Sequence, residues 1–81
     1  GKPAAPRKLT FKEARELEGI EDAISAAEER VQKLEAELSD PAVFKDRGAE
    51  VHGLVAALDA ARADVERLFA RWQELDALPR A

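Results

Sequence analysis

Apolar residues that recur at alternating spacings of three and four constrain a chain severely. Only a helix with one stripe laid against another helix satisfies that pattern over many turns. Leu17, Ile20, Ile24, Ala27, Val31, Leu34 and Leu38 form one such seam, and Val51, Leu54, Leu58, Ala61, Val65, Leu68, Trp72 and Leu75 form a second. Ser39-Asp40-Pro41 separates them. Proline cannot continue a helix, since it lacks the N–H and clashes with the preceding turn, but it suits the first turn of a new one with Asp40 as its cap. Leu78-Pro79 ends the second seam.

Two seams around one break predict an all-α fold, a two-helix antiparallel coiled-coil hairpin, with helices over about residues 11–38 and 47–77. Residues 1–8 are expected to be a Pro-rich linker and residues 9–78 the hairpin domain. Thr10-Phe11-Lys12-Glu13 has the form of a capping box, with Leu9 placed to staple onto Ala14. Folding directly at the break sets Leu34 opposite Val51, Ala27 opposite Leu58, Ile20 opposite Val65 and Leu17 opposite Leu68. The flanks then bring Glu21 to Arg62 and Glu16 to Arg71, and set Glu37 unfavourably against Glu50, where fraying is expected. Phe69 falls beside Ala14 and Trp72 beside Glu13, so Phe11, Phe69 and Trp72 are expected to gather at the open end. Such a cluster serves as a core plug, as a docking face toward another domain, or as a platform for bases. An intramolecular hairpin of this kind is expected to be a monomer.

Length and composition exclude much. At 81 residues there is room for one small domain, and no apolar run approaches the length of a membrane span. There is no cysteine, hence no disulfide and no thiolate metal site, which fits a cytoplasmic protein. His52 is the only histidine, and its helical neighbours Gly48, Ala49, Val55 and Ala56 offer no metal ligand. Glu28, Glu29, Glu35 and Glu37 are dense, but carboxylates do acid–base work only in a pocket that shifts their pKa values, and a two-helix hairpin has none. Without a Gly-rich phosphate loop the chain is not expected to bind nucleotide. No enzyme, metal or cofactor role is therefore expected of it, and no membrane partner.

The charge distribution carries functional content. The net charge of −4 hides a basic root: Lys2, Arg7, Lys8, Lys12 and Arg15 stand against Glu13 alone in the first 15 residues. Lys8, Lys12 and Arg15 fall on one outward stripe, and the hairpin adds Arg67 and Arg71 from the second helix. Clustered cations neutralise phosphates and bind DNA or RNA with little sequence preference. The competing reading is a solvated helix face with Arg71 occupied by Glu16.

Three separated motifs carry a resemblance. Lys8-Leu9-Thr10-Phe11-Lys12 followed by Arg15-Glu16-Leu17-Glu18 resembles the K-L-[ST]-[YF]-K-x-x-R-E-L-E opening of the C-terminal domain of Uup-type ABC-F ATPases. Leu38-Ser39-Asp40-Pro41 with Phe44 is similar to that family's hairpin turn, and Arg71-Trp72-Gln73-Glu74-Leu75 to its closing R-W-x-x-L. The resemblance implies a coiled-coil, DNA-binding appendage of a cytoplasmic protein with two ATP-binding cassettes, acting on ribosomes or nucleic-acid intermediates. The ATPase would lie upstream of this segment. The alternative it leaves is a structural or protein-interaction coiled coil that docks on the ribosome or on the parent cassettes. Where the family carries a proline shortly after R-E-L-E this chain has Glu21, so the proline's kink loses its cause and Gly19 is left as the nearby weak point.

Overall fold

A computed structural model describes residues 7–80. Most of the expected linker, with Lys2, lies outside the described residues. The order is α1 (Phe11–Ser39), α2 (Pro41–Asp46), a 3₁₀ turn (Gly48–Glu50) and α3 (Val51–Asp76). Helices α1 and α3 pack along each other as an all-helical, extended hairpin measuring 61 × 28 × 15 Å.

The ends of α1, the start of α2 and the end of α3 each have a chemical cause, whereas no side chain caps the start of the 3₁₀ turn or of α3. Thr10 Oγ1 accepts from the Glu13 N–H at 3.1 Å while the Thr10 N–H donates to Glu13 Oε1 at 3.0 Å, so the capping box forms in full. At the other end of α1, Ser39 Oγ donates to the Glu35 carbonyl at 2.8 Å. The Asp40 N–H donates to the Glu37 carbonyl at 3.2 Å. Asp40 Oδ1 accepts from the Ala42 N–H at 2.9 Å, and Pro41 opens α2 behind that cap. Arg80 closes α3, donating to the carbonyls of Asp76 and Leu78 and to Asp76 Oδ1, where its cation also meets the negative end of the helix dipole. Helix α1 runs unbroken through Gly19 and Glu21.

The core is the seam. Every buried residue of α1 and α3 (Ile20, Ile24, Ala27, Leu58, Ala61 and Leu75) belongs to the alternating pattern. Leu75 is the most deeply buried, at 0% exposure. Two further residues seal the ends. Val43 of α2 is buried at the turn, and Leu9 is buried at the open end, where its N–H donates to the Pro79 carbonyl at 3.0 Å. That bond ties the segment entering the hairpin to the segment leaving it.

The register differs from the expected one. Arg62 Nη2 stands 3.9 Å from Glu35 Oε1 and not against Glu21. Phe69 and Trp72 share a groove with Glu21, Ile24 and Ser25, not with Ala14 and Glu13. Helix α3 thus sits further toward the turn along α1, and the facing pairs drawn by folding at the break are corrected accordingly. The reason is periodicity: a seam that repeats every heptad keeps apolar residues against apolar residues in more than one register. What selects among them is the connector, which here is an ordered helix and a 3₁₀ turn anchored by Val43. Arg71 still reaches Glu16. The expected clash at the turn is also relieved, because Arg47 donates to both Glu50 oxygens, at 2.8 and 3.0 Å, and Glu37 adds its field to the same guanidinium.

Candidate nucleic-acid interface

The six cations singled out in the sequence separate into two sets. Arg7 and Arg71 are occupied. Arg7 grips both oxygens of Glu13, one at 2.7 Å. Arg71 donates to Glu16 at 2.7 and 2.9 Å and to Glu74 at 3.1 Å, with Glu13 a further 3.9 Å away. These two cations and three carboxylates form one ionic latch across the open end, joining the entering chain, α1 and α3. Inside it the Arg7 guanidinium and the Thr10 N–H hold the Glu13 carboxyl down at about 2. Arg71 holds Glu16 below the usual carboxylate range in the same way. Arg67 has only a loose partner, Asp64 at 3.5 Å one turn earlier on α3.

Lys8, Lys12 and Arg15 make up the second set. All three are exposed, and none has a carboxylate within ion-pair distance among the described residues. They are held in place by the capping box, which fixes where the first turn of α1 begins. Of the acids nearest in sequence, Glu13 is turned away to Thr10 and Arg7, and Glu16 to Arg71. Positive charge is therefore without a direct ion pair at the start of α1, although the field of Lys12 reaches Glu16, whereas the latch beside it carries more carboxylates than cations.

The expected aromatic cluster does not form. Phe11 is 80% exposed and takes no part in a plug; its ring meets the Arg15 guanidinium at 5.8 Å from the centroid. Phe69, 42% exposed, and half-buried Trp72 line the groove of about 240 Å³ with Glu21, Ile24 and Ser25. Leu9 and Leu75 are buried at the end where the plug was expected. The register shift explains the separation, since it carries Phe69 and Trp72 away from the tip.

Sequence reasoning missed the Arg7–Glu13 bond and the Leu9–Pro79 bond. The first had a signal, because Glu13 is the single carboxylate among the first cations. The second had none, as it joins backbone atoms from opposite ends of the chain. A second groove of about 390 Å³ runs along the middle of the rod between α1 and α3, lined by Glu28, Glu35, Glu66 and Arg62 among others, and its charge is unsuited to phosphate. No cluster of metal-ligating side chains occurs among the described residues, and no described helix is long and apolar enough to cross a membrane.

Comparison with known proteins places the chain in a family. Residues 8–77 match the family described as the ABC transporter C-terminal domain. An ATP-binding protein Uup-like from Haemophilus influenzae is 36% identical over 69 residues, 85% of this chain and 15% of its own length. The ATP-binding protein Uup of the same organism is also 36% identical over 69 residues, 11% of its length. That of Escherichia coli is 30% identical over 71 residues, 88% of this chain and 11% of its own. No solved structure matches the chain. The chain thus spans a small part of relatives that are several times longer. On a match that runs from Lys8 in the entering segment to the end of α3, the chain belongs to the ABC transporter C-terminal domain family.

Proposed function

We propose that this domain is a nucleic-acid-binding appendage of a longer, cytoplasmic ABC-F ATP-binding protein, contacting phosphates through its basic end. One observation carries the reading: Lys8, Lys12 and Arg15 lie exposed, with no carboxylate in ion-pair distance among the described residues, at one end of an acidic rod. Free cations gain affinity for a polyanion by releasing its condensed counterions, and they do so without reading sequence. No helix here is presented for insertion into a groove, so base-edge recognition of a duplex has no structural basis. Arg7 and Arg71 contribute less, since phosphate must compete with Glu13, Glu16 and Glu74 for them. ATP binding, which the names of the relatives state for those longer proteins, would lie outside this domain, and this domain supplies a contact.

Fluorescence anisotropy of a labelled DNA or RNA duplex, titrated with the domain at several salt concentrations, tests this. Replacing Lys8, Lys12 and Arg15 together with Ala should weaken binding and flatten the slope of log affinity against log salt by about 2–3, at ~0.9 per phosphate on duplex DNA. Replacing Lys45 at the turn should do much less. A second reading rests on the partly exposed Phe69 beside Trp72: a protein-interaction surface for the ribosome or for the parent's ATP-binding part. An unmodified domain that binds no duplex at low salt would transfer the case to it.

A further inference from the structure

Phe11 has no role in the fold. It is the most exposed of the large apolar residues, it lies outside both seams, and the capping box that starts α1 runs through Thr10 and Glu13 without it. A single exposed aromatic ring is ordinary on a protein surface, and only its setting gives it meaning. Its surroundings narrow the choice. Arg15 lies over the ring one turn along the helix, Lys8 and Lys12 flank it in sequence, and none of the three has a carboxylate within ion-pair distance among the described residues. An aliphatic or acidic protein surface would use either the ring or the cations. A nucleotide with its base exposed uses both at once, offering a π face to the ring and phosphates to the cations.

We propose that Phe11 stacks an unpaired nucleobase while Lys8, Lys12 and Arg15 take the adjoining phosphates, so that the ligand of this end is single-stranded nucleic acid or a strand end whose bases are free. The proposal rests on the nucleic-acid reading above and specifies its ligand. Paired bases inside a duplex hide their faces against one another, so the ring adds nothing there and the cations act alone. Phe69 and Trp72 are less suited to the task, because their groove opens beside Glu21 and no free cation lines it.

The test compares two labelled oligonucleotides of equal length, one intact and one abasic, by anisotropy at low salt. Both carry the same phosphates, and only the first carries bases. The unmodified chain should bind the intact strand roughly tenfold more tightly, since stacking on one aromatic side chain contributes on that order. Phe11→Ala and Phe11→Leu should each abolish the difference and leave affinity for the abasic strand unchanged, whereas Phe11→Tyr should keep it. Leucine preserves apolar bulk, so its result separates stacking from general stickiness. A preference that survives in Phe11→Ala, or equal binding of both strands by the unmodified chain, overturns the stacking role and leaves phosphate binding standing. Failure to bind either strand overturns both, and points the ring toward a protein partner.

Discussion

Glu13 performs three tasks within one helical turn. It completes the capping box, neutralises Arg7, and lends its field to Arg71. Because its folded-state pKa of about 2 lies below the ~4.3 of an unconstrained glutamate, the folded form binds its proton less readily than the unfolded form. The stability this contributes is therefore present above about pH 4.5 and is lost as pH falls toward 2. Glu16 and Glu50, each held down by an arginine, add to the slope in the same direction. Melting followed by circular dichroism from pH 7 to pH 2 should show the midpoint falling in the acid range. Glu13→Gln, which can still cap, should flatten that fall without removing it. A variant curve parallel to that of the unmodified chain would mean that the Arg7–Glu13 bond does not persist in solution.

At the scale of elements, α1 opens on a full capping box and has one weak interior position, whereas α3 begins without a side-chain cap. Gly19 inside α1 and Gly53 in the first turn of α3 are exposed, both with negative φ, and a Cβ added at either would meet no atom within 4 Å. Alanine at each should therefore stabilise by up to ~1 kcal/mol, raising the melting temperature by about 4–8 °C per kcal/mol in a domain of this size. A drop in either variant would show that flexibility there relieves strain elsewhere. The interface between the helices has the opposite character. Leu75, with no exposed surface, should cost ~2–5 kcal/mol on replacement by Ala, and Leu58→Ala should fall in the same range. Arg62→Ala, which removes only a long contact to Glu35 on an exposed flank, should cost under ~1 kcal/mol. Urea melts that rank Arg62→Ala with the leucines would remove the seam from its place as main support. Val43 extends the argument to the connector, where losing two buried carbons should cost about 1.6 kcal/mol.

The whole molecule is a rod. Its radius of gyration of 18.4 Å far exceeds the ~12 Å of a compact chain of this length. A rod separates its two ends, and here they differ in charge: free cations gather at the open end, while glutamates line the groove along the middle. Such a dipolar shape favours end-on approach to a polyanion, with the acidic shaft held away from it. Small-angle X-ray scattering should give a radius near 18 Å that does not change with concentration. Growth with concentration would mean that the seam is shared between molecules, and the monomeric hairpin would have to be abandoned.

The sequence by itself determined the fold class, the two long helices, the cap at Thr10 and the break at Asp40-Pro41. Each of these follows from interactions within a few residues or from a period repeated over many turns. The Glu16–Arg71 contact was legible as well, because long side chains tolerate some sliding. Tertiary structure alone decided the register, the partner of Arg62 and the dispersal of the aromatic residues. A heptad seam repeats, so its own pattern does not choose between positions related by that repeat, and the choice passes to the connector that holds Val43 and to the end sealed by Leu9 and Leu75. The division of the basic root was decided there too. Charge counting places Arg7, Lys8, Lys12, Arg15, Arg67 and Arg71 together, but which cations remain free depends on where the carboxylates of a second helix come to rest.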